Sequence, residues 1–211
     1  MIGIIDYGLG NLASIRNMLK RLEIESVISS EANVLARADK LILPGVGAFD
    51  SGMANLTSSG LIDSLNEMVL QDKKPILGIC LGVQLLTEGS DEGRLPGLGW
   101  IKGRTIAFDR SRLSPTERVP NMGWRYVDAT RDSSLSQNLE IDSRFYFVHS
   151  FHLDCYNKHD VIFTATHGYS FAVGVEHENI SGVQFHPEKS HKFGMALLKS
   201  WQSSAHSQQQ D

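Results

Sequence analysis

The sequence predicts an α/β fold in which a central, mostly parallel sheet is flanked by helices and extended by antiparallel strands in the second half. In the first half, short β-branched runs alternate with stretches whose apolar residues recur at helical spacing. This is the pattern of parallel strands joined by crossover helices. After Gly93, strand-like segments separated by glycines follow one another, which favours antiparallel pairing.

The expected elements begin with a strand at residues 1–7. A helix follows, and its apolar positions are Leu12, Ile15, Leu19 and Leu22. Further strands are predicted at 27–29, 40–43 and 75–79, with helices at 32–38 and 61–70 between them. Because helices separate these strands, the strands should lie parallel in one sheet.

The second half is predicted to contain mostly strands. They are expected at 104–108, 145–149, 161–166, 171–175 and 182–185, and a helix at 193–201 follows them. A chain of 211 residues suits a single domain, and we expect one over 1–202. Residues 203–211 have too little apolar content to pack and are predicted to form a disordered polar tail.

Charge and composition exclude several classes of function. A net charge of −4 leaves no broad basic surface, so neither nucleic acid nor a membrane is an expected partner. The apolar stretch at the N-terminus is short and is interrupted at Asp6, unlike that of a signal peptide or a spanning helix. We therefore expect a cytoplasmic protein. All 8 histidines lie from His149 onward without ligand spacing, which predicts no metal site. No cofactor is expected.

The two cysteines lie far apart and form neither a C-x-x-C pair nor a disulfide framework. Cys155 has no motif around it and is interpreted as a packing residue. The charged segment 91–94 is likewise given no functional role and is interpreted as a solvated loop. Cys80 is different because of the residues that surround it.

Cys80 stands in the pattern Gly78-Ile-Cys80-Leu81-Gly82, where an apolar strand runs directly into a helix start. This pattern is typical of a nucleophile elbow, since glycines on both sides relieve the crowding of a sharp, strained turn. The N–H of Leu81 would then point toward a developing oxyanion. The pentapeptide alone fits a buried core cysteine equally well.

A second segment strengthens the nucleophile hypothesis. A strand at 182–185 ends in His186, with Glu188 two positions further on. A thiol nucleophile needs a base and a group that orients the base. Catalytic groups of open α/β sheets gather at strand ends, so Cys80, His186 and Glu188 form a candidate triad.

A third segment also leaves a strand end. It contains Gly45, Val46 and Gly47, whose backbone N–H groups could complete an oxyanion hole. By itself the segment fits an ordinary glycine turn better.

Together, G-I-C-L-G-V-Q, L-P-G-V-G-A-F and V-Q-F-H-P-E-K-S closely resemble class I glutamine amidotransferases, which carry a Cys-His-Glu triad on a flavodoxin-like sheet. Within that class, the segments I-D-Y-G-L-G-N-L, P-N-M-G-W and F-Y-F-V-H-S are similar to the glutaminase subunits of imidazole glycerol phosphate synthase. The resemblance spans nearly the whole chain before the tail.

The resemblance implies that Cys80 attacks the side-chain amide of glutamine, which gives ammonia and a thioester that water hydrolyses to glutamate. It implies that the triad is Cys80, His186 and Glu188 and that the oxyanion loop is Gly45, Val46 and Gly47, together with Leu81. It places glutamine contacts at Gln84, His149, Ser150 and Phe151.

The resemblance also implies a heterodimer with a (βα)8-barrel cyclase, which receives the ammonia to make imidazole glycerol phosphate in histidine biosynthesis. The implied interface residues are Lys189, Trp124 and Arg125. Arg125 departs from the commonest family pattern, as do Phe151 and Trp100. These departures resemble a paralogous branch that supplies ammonia to sugar amidotransferases in surface polysaccharide synthesis, which is the alternative for the acceptor.

Two other classes of function compete with this interpretation. A non-catalytic regulatory subunit could keep the fold, but it would not need Cys80, His186 and Glu188 together. A cysteine hydrolase or protease with a related elbow would not be expected to carry H-P-E-K-S along with P-G-V-G.

Overall fold

The computed structural model describes residues 1–204. A ten-stranded sheet forms its centre, and a separate two-stranded ribbon lies at one side. The strands are β1 (Ile2–Ile5), β2 (Ser26–Ser29), β3 (Lys40–Gly45), β4 (Ile76–Cys80), β5 (Gly103–Ala107), β6 (Asn121–Tyr126), β7 (Asp128–Ala129), β8 (Arg144–His149), β9 (Phe151–Cys155), β10 (Val161–His167), β11 (Tyr169–His177) and β12 (Ile180–Val183).

The sheet has a parallel half and an antiparallel half. Its main path runs β2-β1-β3-β4-β12-β11-β10-β7, and β9 and β5 continue from β11 as a branch. Strands β2, β1, β3, β4 and β12 pair in parallel, whereas β11 pairs antiparallel with β12, β10 and β9. The predicted change from parallel to antiparallel pairing is confirmed, although β12 returns to the parallel set from late in the chain.

The helices cover both faces of the parallel half. They are α1 (Leu12–Arg21), α2 (Ala32–Leu35), α3 (Phe49–Ser58), α4 (Ile62–Asn66), α5 (Leu81–Leu85) and α6 (His191–Ser203), with a π-helical segment Glu67–Gln71 after α4. Neighbouring strand residues point into different apolar clusters, since Ile4 packs with α1 and α6 while Ile5 packs with α3 and α5. Alternation of this kind is the signature of a sheet buried on both faces.

Several elements differ from the prediction. Helix α3 was not predicted, because its sequence is rich in residues with low helix propensity and contains Gly52. Tertiary packing stabilises it, since Phe49, Met53 and Leu56 are buried. Strands β6, β7 and β9 were also not predicted. The predicted helix at 61–70 is a short α-helix that continues as the π-helical segment.

Helix α6 extends beyond the predicted helix at 193–201 by two residues at each end and ends at Ser203. The polar tail was predicted to begin at this residue. The rest of that predicted tail, from residue 205 onward, lies outside the described residues. None of the helices within residues 1–204 has the length and apolar character that a membrane span requires.

Candidate active site

The predicted site residues lie where three parallel strands end side by side. Gly45 at the end of β3 pairs with Cys80 at the end of β4. Val183 at the end of β12 pairs with Ile79, so the chain that leaves β12 reaches His186 beside Cys80. Carboxyl ends of parallel strands are where ligands bind in open α/β sheets.

Cys80 sits at a strained turn. Its φ is +55°, although it is not a glycine, and helix α5 begins at the next residue. A Cβ at Gly82 would lie 1.9 Å from the carbonyl oxygen of Leu43, and one at Gly78 would lie 2.8 Å from the backbone of Val83. Only glycine fits at either position, so the elbow predicted from the sequence has the expected backbone and the expected reason for its glycines.

His186 and Glu188 form a buried pair. The distance from His186 Nδ1 to Glu188 Oε1 is 2.7 Å, and both side chains are 1% exposed. Asn11 Nδ2 donates to the same carboxylate oxygen at 2.9 Å. Asn11 occupies the N-cap position of α1 but makes no capping bond with its side chain. Its amide is therefore used to hold Glu188.

The electrostatics of the pair favour a charged imidazole. Burial alone would lower the pKa of His186, but hydrogen bonding with Cys80 and Glu188 and the charges of both groups raise it to about 9. Burial alone would raise the pKa of Glu188, but hydrogen bonds from His186 and Asn11 together with the His186 charge lower it.

Glu188 occupies Nδ1 of His186, so Nε2 is the ring nitrogen left to act on the thiol. Nε2 is buried, and no hydrogen bond of full geometry reaches it within residues 1–204. Catalytic hydrogen bonds often become short only when substrate binds.

Two buried glutamines form a relay that ends at the thiol. Gln184 Nε2 lies 3.9 Å from Cys80 Sγ, within hydrogen-bond range for sulfur. Gln84 Nε2 donates to Gln184 Oε1 at 2.9 Å, and both side chains are buried. This relay fixes the amide of Gln84, so that its own carbonyl oxygen stays available to a ligand.

A cavity of about 550 Å³ opens above Cys80, a volume suited to a small metabolite. It brings together most of the residues predicted from the sequence. Its lining comprises Asn11, Val46, Gly47, Cys80, Leu81, Gln84, Glu92, Pro120, Val148, His149, Ser150, Phe151, His186 and Lys189.

The predicted oxyanion loop forms one wall of this cavity. The hydroxyl of Tyr7 donates to Pro44 O at 2.7 Å, and Phe49 N donates to Glu92 Oε2 at 2.9 Å. Both ends of the loop are therefore anchored. Gly47 between them has a φ of +105°, and a Cβ there would meet nothing within 4 Å, so the middle of the loop has room to change conformation.

The ribbon of β6 and β8 forms the opposite wall. It is joined to the site because His186 N donates to Tyr146 O at 2.9 Å. Met122, Trp124 and Tyr126 on its outer face are 57%, 40% and 62% exposed. Arg125 points to the opposite face of β6, where its guanidinium donates to Asn121 Oδ1 and His167 Nδ1. Trp124 and Arg125, both predicted at the partner interface, thus lie on different faces.

Four polar residues of the site were not predicted. Asn11 resembles an ordinary helix start. Asn121 and Gln184 lie inside motifs in which roles were predicted only for other residues. Glu92 was interpreted as part of a solvated loop, but it lines the cavity. No signal in the sequence marks Glu92, because a loop contact 43 residues away along the chain places it.

Comparisons with known proteins agree with this geometry. The family model described as glutamine amidotransferase class-I matches residues 3–201. The imidazole glycerol phosphate synthase subunit HisH 2 of Methanococcus maripaludis is 51% identical over 95% of this chain and 98% of the relative. HisH of Bdellovibrio bacteriovorus is 49% identical over the same shares.

A solved structure shows the same fold at lower identity. The structure of PurLQS from Thermotoga maritima superposes with a TM-score of 0.71 at 18% identity, covering 95% of this chain and 96% of that one. The class-I match over almost the whole chain and the half-identical HisH relatives lead to one conclusion. The chain belongs to the class I glutamine amidotransferase family, within which it is related to the HisH subunits of imidazole glycerol phosphate synthase.

Proposed function

We propose that this protein is the glutaminase subunit of an imidazole glycerol phosphate synthase and that Cys80, His186 and Glu188 are its catalytic triad. The observation that carries the proposal is the buried His186–Glu188 pair beside a strained Cys80. A buried carboxylate that orients an imidazole next to an elbow nucleophile is the arrangement that acyl transfer requires.

The reaction then proceeds in two halves. The Cys80 thiolate adds to the side-chain amide carbon of glutamine, and the tetrahedral intermediate collapses as His186 gives a proton to the leaving nitrogen. Ammonia departs and a thioester remains. A water molecule, deprotonated by His186, attacks the thioester carbonyl and releases glutamate and the Cys80 thiol.

The oxyanion is stabilised by backbone donors. Leu81 N–H at the start of α5 is adjacent to the nucleophile, and the loop of Gly45, Val46 and Gly47 borders the same space. The open space around Gly47 supports a loop that turns its N–H toward the intermediate only when the enzyme is activated.

Charges at the cavity suit the head group of an amino acid. Glu92 and Lys189 are the carboxylate and the ammonium among the lining residues. Glu92 would attract the α-ammonium of glutamine, and Lys189 would attract its α-carboxylate. The carbonyl oxygen of Gln84 and the segment of His149, Ser150 and Phe151 complete the contacts along the substrate.

The partner is a (βα)8-barrel cyclase that binds the outer face of the ribbon and receives the ammonia. The exposed row of Met122, Trp124 and Tyr126, with Lys189 over the ring of Tyr146, supports a docking surface that is aromatic at its centre, as interface cores are. The cavity opens beside this surface. Both HisH relatives are named as subunits of the histidine-pathway synthase, which favours that acceptor over a sugar. The complex would work in the cytoplasm.

The proposal is tested by measuring glutamate release from glutamine with the cyclase subunit of the same organism, with and without the cyclase's nucleotide ligand. We expect little release alone and stimulation of at least about 100-fold in the liganded complex, equivalent to about 2.7 kcal/mol of barrier. Failure to stimulate, with Cys80 still labelled by an electrophilic glutamine analogue, would retain the glutaminase and reject the histidine-pathway partner. Absence of both would reject the glutaminase.

A further inference from the structure

A chain of hydrogen bonds runs from the wall of the cavity into the body of the protein, and each bond in it has a fixed direction. The carbonyl oxygen of Phe151 can only accept, so His149 Nδ1, 2.8 Å away, carries the proton. His149 Nε2 is then an acceptor, and Asn121 Nδ2 donates to it at 3.0 Å. That choice leaves Asn121 Oδ1 to accept from Arg125 Nε at 3.0 Å.

The donors and acceptors at the other end of this chain of hydrogen bonds are fixed in the same way. The carbonyl oxygen of Arg118 accepts from His167 Nε2 at 2.9 Å. His167 Nδ1 is therefore an acceptor, and Arg125 Nη2 lies 3.3 Å from it. Nε and Nη2 lie along one edge of the guanidinium, so a single planar cation serves two acceptors side by side. Arg125 is the only member of the chain that donates in both directions.

At the cavity, the chain of hydrogen bonds ends at a corner of the backbone that shapes the cavity wall. His149 is the last residue of β8 in the ribbon, and Phe151 is the first residue of β9 in the main sheet. The backbone passes from one sheet to the other at Ser150, and all three residues line the cavity. The hydrogen bond within this corner is made by the His149 ring itself. The orientation of that ring therefore sets the shape of the wall.

The surroundings of His149 match a neutral ring with one defined tautomer. The ring lies 5.3 Å from the ring of Phe108, 5.6 Å from Phe147 and 5.7 Å from Phe171. Burial among these rings lowers the pKa of His149 to about 3. A neutral imidazole has two tautomers, and the donor from Asn121 selects the one that also bonds Phe151 O.

We propose that Arg125 is a positioning residue for glutamine binding, which acts through Asn121 and His149 to hold the wall of His149, Ser150 and Phe151. This proposal rests on the proposed glutaminase function and concerns recognition of the substrate rather than the chemistry at Cys80. Lysine cannot replace Arg125, because one ammonium on a flexible stem does not reproduce two donors on a rigid edge.

The test compares Arg125→Gln and Asn121→Leu in the complex of the full chain with its cyclase. Because the chain orients a binding wall, each variant should raise KM for glutamine about tenfold while kcat stays within about threefold of the parent. Arg125→Lys should resemble Arg125→Gln. The KM of the double variant for glutamine should be no higher than that of the poorer single variant, within about twofold, because both changes break the same series of hydrogen bonds.

The matched control is Arg131→Gln. Arg131 is also partly buried and holds backbone acceptors, with Nε donating to His159 O at 2.8 Å and Nη2 to Glu176 O at 3.1 Å. It does not line the cavity. We expect Arg131→Gln to lower the melting temperature without a change in KM for glutamine.

A second readout uses Cys80 and needs no turnover. An electrophilic glutamine analogue must bind the wall before it reacts, whereas iodoacetamide need not. Arg125→Gln should slow labelling by the analogue about tenfold and leave labelling by iodoacetamide within about twofold. Equal labelling of parent and variant by the analogue, with an unchanged KM, would overturn the proposal. A parent that the analogue does not label would instead contradict the proposed glutaminase.

Discussion

The carboxyl edge of β3, β4 and β12 and the ribbon of β6 and β8 face each other across one cavity, but they are built in different ways. Each of the three strands has a hydrogen-bonded neighbour on both sides, and Ile42, Leu77 and Val183 on these strands are fully buried. The ribbon has two strands and one exposed face. Two hydrogen bonds at Tyr146 help to tie it to the rest of the structure, since Tyr146 O accepts from His186 N and Tyr146 N donates to Ser190 Oγ.

The difference in packing explains where a strained backbone conformation can persist. A positive φ at Cys80 costs on the order of 1–3 kcal/mol and persists only where the surroundings over-determine it. The packed edge provides such surroundings. No such strain is found at Arg125 or Phe151 in the ribbon and its corner, the positions interpreted from the sequence as departures from the commonest family pattern. In the proposed function, the packed edge carries the chemistry and the wall at the ribbon carries recognition of the substrate.

The most severe test of this comparison is Cys80→Ser, with Cys155→Ser as its control. We expect Cys80→Ser to reduce glutamate release at least about 10⁴-fold, because a hydroxyl is a far weaker nucleophile there, and to leave the melting temperature nearly unchanged. Cys155 is buried, and burial raises its pKa to about 12, so it stays a thiol. Cys155→Ser should keep the activity and lose about 1–2 kcal/mol of stability, since a hydroxyl is then buried.

Steady-state glutaminase assays and thermal melts on both variants give the answer. Loss of activity in both, or in neither, would remove the distinction between the elbow cysteine and the packing cysteine.

The second prediction concerns how the rigid edge responds to pH. The pKa of His186 is raised from 6.5 to about 9 in the folded protein. A group with a raised pKa stabilises the fold fully below its unfolded pKa, and this stabilisation is lost as pH rises through the folded pKa. The stability of the parent relative to His186→Asn should therefore fall between about pH 6.5 and pH 9, by on the order of 3 kcal/mol in total.

Denaturant unfolding at several pH values between 6 and 10 measures this difference. Glu188→Gln removes one of the two partners of His186. At pH 6, the free energy of unfolding of Glu188→Gln should therefore exceed that of His186→Asn by less than the parent's does. The lowered pKa of Glu188 also stabilises the fold, but this stabilisation is lost only in acid, as pH falls through that pKa, outside the window from about pH 6.5 to pH 9. Parallel curves for the parent and His186→Asn would argue against a charged pair at the edge.

The two regions also differ in how much of them could be predicted from the sequence. The edge was predictable, because strand, elbow and histidine are each marked by a local pattern around Gly78, Gly82 and His186. The ribbon was predicted only in part. Its strand β6 contains Gly123 and carries its large apolar side chains on the exposed face, the reverse of a strand that packs on a core. Asn11 and Glu92 were missed for a related reason, since tertiary packing alone brings them to the site.

The last prediction tests the outer face of the ribbon as the docking surface. Trp124 stacks on His191 at 5.7 Å between ring centroids and lies edge-on to Tyr146, so it is a rigid, half-exposed anchor. Trp124→Ala should weaken binding of the cyclase about tenfold, as expected for an aromatic residue at the centre of an interface. Tyr156, 59% exposed directly after β9, is the matched control, and Tyr156→Ala should bind normally.

Because Trp124 lies on the opposite face of β6 from Arg125, labelling of Cys80 by the glutamine analogue in the free subunit should remain unchanged in Trp124→Ala. If Trp124→Ala slowed this labelling as much as Arg125→Gln does, the two faces of the ribbon would not act separately, and the division between docking and substrate recognition would fail.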